Sequence, residues 1–194
     1  MWDGLQPVRK DSTHRRNHDL TVKTEVAWIC MLDRRSYRRH LPHYQNGNRI
    51  YLITFVTLHR QTLRPEAREI VLNEIGRLHE RFAFVHAAVV MPDHVHIILQ
   101  PLWDDTGVTQ PLPVILRMLK GRSARRINLL QERQGSIWLD ESHDHQLRTS
   151  ESLTEKIEYV LQNPVRRGIV QKPDDYEWIW RWWIERRRAE ARPT

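Results

Sequence analysis

Two histidines separated by one valine, His94-Val95-His96, open an apolar run and constrain this chain more than any other feature. Apolar residues extend from Ala87 to Met91, Pro92-Asp93 interrupts them, and a second run continues to Leu99. That pattern predicts strands over 83–91 and 94–100 joined by a tight turn. Side chains alternate along a strand, so His94 and His96 share one face while Val95 enters the other. Two imidazoles about 7 Å apart on a rigid strand make half of a divalent-metal site.

A tyrosine downstream supplies the other half. Ser152 and Glu155 have the spacing of a capping box, and Pro164 disfavours helical geometry at Asn163, which predicts a helix over 152–163. Leu153, Ile157, Val160 and Leu161 form its apolar stripe. Tyr159 lies roughly 200° around the helix from Ile157, on the side of Glu155 and Asn163. A phenol with an ordinary pKa near 10 is only ~0.1% ionised at neutral pH, a deficit of about 4 kcal/mol, so it needs help as a nucleophile. A divalent ion held by two imidazoles and an amide oxygen can polarise a phosphodiester and offset charge on its leaving oxygen. The expected set is His94, His96 and Asn163 as ligands and Tyr159 as nucleophile.

Further strands and helices are expected at 50–58 (strand), 65–81 and 112–131 (helices), with a short strand or loop near 136–139. The order β-α-β-β-α with a further helix suits an α+β domain. The chain carries 31 Lys and Arg against 24 Asp and Glu, a net +7, the sign expected of a polyanion binder. Lys120, Arg122, Arg125 and Arg126 cluster beyond an apolar stretch and predict a phosphate-tracking face; Arg166 and Arg167 follow the tyrosine helix directly. His143 and His145 repeat the His-x-His spacing in polar surroundings, with no apolar strand to hold them. The tryptophans at 178, 180, 182 and 183 are expected to dock the C-terminal segment on the domain.

Several segments in order resemble the single-tyrosine HUH transposases, and most closely the REP-associated tyrosine transposases. They are Ser36-Tyr37-Arg38-Arg39, Tyr51 to Thr57, Met91-Pro92-Asp93-His94-Val95-His96, Lys120-Gly121-Arg122-Ser123-Ala124 with Ile127-Asn128, Trp138, Asp144 to Arg148, and Tyr159 to Val170. The resemblance spans about residues 36 to 180. It implies a ferredoxin-like antiparallel sheet with flanking helices, and Mg²⁺ or Mn²⁺ at the histidine pair. It also implies cleavage of single-stranded or hairpin DNA through a covalent 5′-phosphotyrosine, with the metal ligands on His94, His96 and Asn163 and the nucleophile on Tyr159. Asn163 stands where insertion-sequence relatives usually carry Gln, which sides with the REP-associated branch.

Other classes fit less well. A hairpin-binding protein that no longer cuts has no need of all four residues. Histidine-triad hydrolases want a histidine where Ile98 stands, and two-histidine phosphoesterases need a second His-x-Ser/Thr motif. Residues 1–46, with nine Lys and Arg against five acids, read as a basic, flexible extension. The resemblance begins just after Met31, which offers an alternative start that would leave residues 1–30 dispensable. Residues 47–183 form one domain and 184–194 a basic tail. Absence of a long apolar run or signal peptide, and a lone Cys30, lead to the expectation of a cytoplasmic, nucleoid-associated protein without a membrane partner. Monomer and homodimer both remain open.

Overall fold

The computed structural model describes residues 49–103, 107–148 and 152–184. The basic extension, the alternative start at Met31 and all but the first residue of the tail lie outside the described residues. Strand β1 (Tyr51–Thr57) leads to helix α1 (Pro65–Leu78), the hairpin β2 (Ala83–Val90) and β3 (His94–Pro101), helix α2 (Leu112–Leu130) and strand β4 (Trp138–Gln146). Helices α3 (Leu153–Leu161) and α4 (Asn163–Arg166) and the short strand β5 (Ile179–Arg181) follow. The sheet runs β4-β1-β3-β2-β5 with every neighbouring pair antiparallel. This is the expected α+β, ferredoxin-like order, extended by β5 along the free edge of β2.

Strand alternation divides the interior in two. Ile53, Phe55, Val85, Val95, Ile97 and Leu99 enter the main core, where Val71 and Ile75 of α1 and Ile115, Leu119 and Ile127 of α2 meet them. The opposite face carries Ala87, Val89 and Ile98, and there α3 lies on β2 and β3 through buried Ile157, Val160 and Leu161. Burial of each such side chain contributes about 1.5–3 kcal/mol, enough to fix the roll of a nine-residue helix. Ser152 caps that helix, its hydroxyl accepting from Glu155 N–H at 3.3 Å.

Two elements depart from the sequence reading. The short strand expected near 136–139 is a nine-residue edge strand, β4, paired along β1, and it holds His143 and His145 after all. An edge strand exposed on most positions needs no apolar alternation, so its pattern was polar. The tyrosine helix ends at Leu161, and Asn163 opens the short α4 instead of closing α3, because proline is well placed in a first helical turn. The C-terminal tryptophans dock as expected. Trp180 packs so closely on Gly76 that a Cβ there would lie 3.0 Å from its ring, and Arg68 stacks on Trp178 at 3.6 Å. No helix among the described residues is long and apolar enough to cross a membrane.

Candidate active site

His94 and His96 leave β3 on the face that α3 covers, with ring centroids 4.8 Å apart. The phase of α3 points Tyr159 away from its buried stripe and over the end of β3, where its ring lies 6.4 Å from that of His96. Tyr159 remains 46% exposed. Histidines and tyrosine therefore meet within one chain.

Each imidazole is oriented by a partner that the sequence reading did not name. His94 Nδ1 bonds to the Asp93 carboxylate at 2.6 Å, and His96 Nδ1 to the Thr54 hydroxyl at 2.7 Å. With both Nδ1 atoms engaged, Nε2 is the nitrogen left on each ring for a ligand. Asp93 uses its second oxygen for Arg60 at 3.2 Å. Asp93 was visible in the turn, and Thr54 stands opposite His96 in the register of β1 and β3. Only that long-range pairing reveals the contact.

Burial is the main reason that both histidines resist protonation. It lowers His94 below its ordinary value, against the pull of Asp93, and brings His96 down to about 4 with help from His94, Arg166 and Arg167. Burial alone would raise the Asp93 carboxyl, but the bonds from His94 and Arg60 outweigh it and hold it below the usual range. Two neutral imidazoles on one face, each with its Nε2 not engaged by these bonds, suit a divalent cation. Among the described residues no three His, Cys, Asp or Glu side chains converge in a metal-binding group. Asn163 offers a neutral oxygen: its amide nitrogen donates to Tyr159 O at 2.9 Å and Val160 O at 3.1 Å, which leaves its Oδ1 as an acceptor one turn beyond the tyrosine.

The expected nucleic-acid residues separate into two groups. Arg166 belongs to the site: its guanidinium lies 4.1 Å from the centre of the Tyr159 ring and also donates to Tyr159 O. Arg167 is close enough to lower both histidines. The α2 cluster stands on the other side of the sheet. There Lys120 donates to Leu139 O and Asp140 O at 2.7 Å, and Arg126 pairs with buried Glu74 at 2.7 Å. Those two side chains join elements of the fold; only Arg122 and Arg125 keep the exposed setting expected of a phosphate-tracking face. Their partners come from distant elements, which a local charge run does not disclose.

The five-stranded antiparallel sheet with flanking helices matches the fold of a REP-associated tyrosine transposase. A solved REP-associated tyrosine transposase bound to a REP hairpin superposes with a TM-score of 0.56 at 20% identity, over 74% of this chain and 82% of that one. In sequence, the chain is 28% identical over 109 residues to a Haemophilus influenzae protein named as a REP-associated tyrosine transposase. That match takes in 50% of this chain and 58% of the relative, so the chain spans under two thirds of that relative's length. A Deinococcus radiodurans transposase structure gives a TM-score of 0.38 at 21% identity, over 66% of this chain and 97% of that one. No protein-family model matches the chain. Sequence and fold thus both carry the resemblance to REP-associated tyrosine transposases.

Proposed function

We propose that this protein is a metal-dependent single-strand DNA endonuclease and strand transferase, a transposase acting on hairpin DNA. The observation that carries this reading is Tyr159 beside His96 in one chain, with both imidazoles turned by Asp93 and Thr54 to present Nε2. Hairpin DNA as the substrate is suggested by the solved relative, which is bound to a REP hairpin. A nucleoid-associated location follows from it.

The phenolic oxygen of Tyr159 attacks the scissile phosphorus and loses its proton to water. The bond to the 3′ oxygen breaks, that oxygen takes up a proton, and a 5′-phosphotyrosine and a free 3′-OH result. His94, His96 and Asn163 would hold Mg²⁺ or Mn²⁺, which supplies charge to the scissile phosphate when bound. Arg166 braces the tyrosine ring from one side, and Arg166 and Arg167 bring positive charge to the DNA backbone. A hairpin binder that never cuts leaves the oriented imidazoles without a use.

Cleavage of a labelled single-stranded hairpin should need Mg²⁺ or Mn²⁺ and stop in excess chelator. Asn163→Ala should weaken the metal dependence only partly, about 10-fold, because water can replace one amide ligand. Undiminished cutting in chelator rules out the ion.

A further inference from the structure

The turn after β1 places two consecutive non-glycine residues in the left-handed region, His59 at φ 55° and Arg60 at φ 56°. Such backbone is strained and persists only where its surroundings impose it. The bonds that impose it lie on both sides of the turn. Before it, Thr57 N–H donates to Asp93 O at 2.9 Å, and the Thr57 hydroxyl shares its proton between Gln61 O at 2.7 Å and Asp93 O at 3.1 Å. Leu58 N–H donates to Ile137 O at 2.8 Å, and beyond the turn Leu63 N–H donates to Pro92 O at 2.6 Å. Residues 57–63 are thus clamped onto the Pro92-Asp93 turn that precedes His94.

The strain serves no packing. His59 and Arg60 are both exposed, and the turn buries none of its side chains. What it achieves is an aim. The Arg60 guanidinium lies 3.2 Å from Asp93 Oδ2, while Asp93 Oδ1 lies 2.6 Å from His94 Nδ1. An ion pair whose arginine is 60% exposed adds less stability than two left-handed residues cost, so stability alone does not account for the arrangement. Orientation does. The last torsion of an aspartate is soft, and the guanidinium restrains it. An ionised carboxylate only accepts hydrogen bonds. With Arg60 holding one oxygen, the other has to receive the Nδ1 proton of His94, which leaves Nε2 bare and the ring fixed.

We propose that Arg60 is a positioning residue for His94, acting through Asp93, and that the strained turn exists to aim it. The brace runs from the clamped backbone through guanidinium and carboxylate to the imidazole. Its effect on cleavage rests on the reading of the protein as a single-strand DNA endonuclease; its effect on His94 does not.

The test compares Arg60→Gly with Arg60→Lys in the full chain. Glycine adopts the left-handed backbone freely and removes the cation; lysine keeps both the strain and the charge. Arg60→Gly should unfold at the parent's urea concentration or above, yet cut a labelled hairpin about 10–100-fold more slowly in single turnover. The DNA concentration for half-saturation should stay within about 2-fold, since the brace acts on the chemistry. Arg60→Lys should cut within about 3-fold of the parent, because one charged N–H donor suffices for Asp93. A further readout needs neither metal nor DNA. Long-range proton–nitrogen NMR spectra should place the His94 proton on Nδ1 in the parent and in Arg60→Lys, and show mixed tautomers in Arg60→Gly. Parent-like cleavage or an unchanged His94 in Arg60→Gly overturns the proposal. So does unfolding or a fall in its stability, which makes the pair structural. A loss seen only as weaker, less salt-sensitive DNA binding overturns it too, since that marks a phosphate contact. If the parent never cuts while His94 loses its fixed proton in Arg60→Gly, the endonuclease reading falls and the brace stands. Equal cutting by parent and Arg60→Gly does the reverse.

Discussion

His94-Val95-His96 on β3 and His143-Asp144-His145 on β4 have the same spacing, and both pairs face the side of the sheet that carries α3. Thr54 of β1 lies between them, opposite His96 on one side and His143 on the other, yet its hydroxyl bonds only to His96. His94 is buried with Asp93 at its Nδ1, and His96 faces Tyr159. His143 is exposed on an edge strand. The difference lies in the neighbours. A His-x-His pair becomes a site when a second layer orients its rings and burial keeps it neutral; spacing alone supplies two imidazoles and nothing more.

The largest expected effect separates the two pairs directly. His94→Ala or His96→Ala should reduce hairpin cleavage by about 1,000-fold or more, whereas His143→Ala should stay within about 3-fold of the parent. Single-turnover cleavage rates measure this, and equal losses at positions 96 and 143 would break the comparison. A smaller effect probes the orienting layer. Asp93→Asn and Thr54→Val keep both imidazoles but loosen them, and each should lower cleavage by about 10–100-fold while the far-UV circular dichroism spectrum is retained. Parent-like rates in both variants would mean that the histidines need no positioning.

The sequence disclosed the centre of this site and little of its support. Strand parity put His94 and His96 on one face, and helical phase put Tyr159 off the buried stripe; both are local properties of a repeat. Thr54 and Arg60 were silent because their roles depend on which strands and turns become neighbours. The bonds of Lys120 to the β4 carbonyls and of Arg126 to Glu74 were silent for the same reason, since those partners lie in other elements. Strand β4 was shortened because a polar edge strand lacks the alternation that reveals a half-buried one. The antiparallel α+β fold followed from the sequence of elements and from the family resemblance, with β5 the one strand that neither announced.

The smallest effect concerns pH and extends the contrast between buried and exposed imidazoles. Burial brings His86, on β2, down to about 3, and His96 to about 4. Between an unfolded value near 6.5 and these lowered values, the unfolded chain holds protons that the folded chain lacks. Stability should therefore be full above about pH 6.5 and fall as the pH drops toward 4, by about 1.4 kcal/mol per pH unit for each such histidine. Urea unfolding at pH 7 and pH 5 checks the sign. His86→Leu should flatten the slope by about one proton; stability rising toward pH 5 would contradict the burial of these rings.

The account stands on Tyr159 as the nucleophile. The direct measurement incubates the full chain with labelled single-stranded hairpin DNA and Mg²⁺ or Mn²⁺, resolves the products on a denaturing gel, and locates any adduct by peptide mass spectrometry. The predicted result is a covalent protein–DNA species attached at Tyr159, lost in Tyr159→Phe while hairpin affinity is kept. An adduct that survives Tyr159→Phe, or that maps to another residue, contradicts the account.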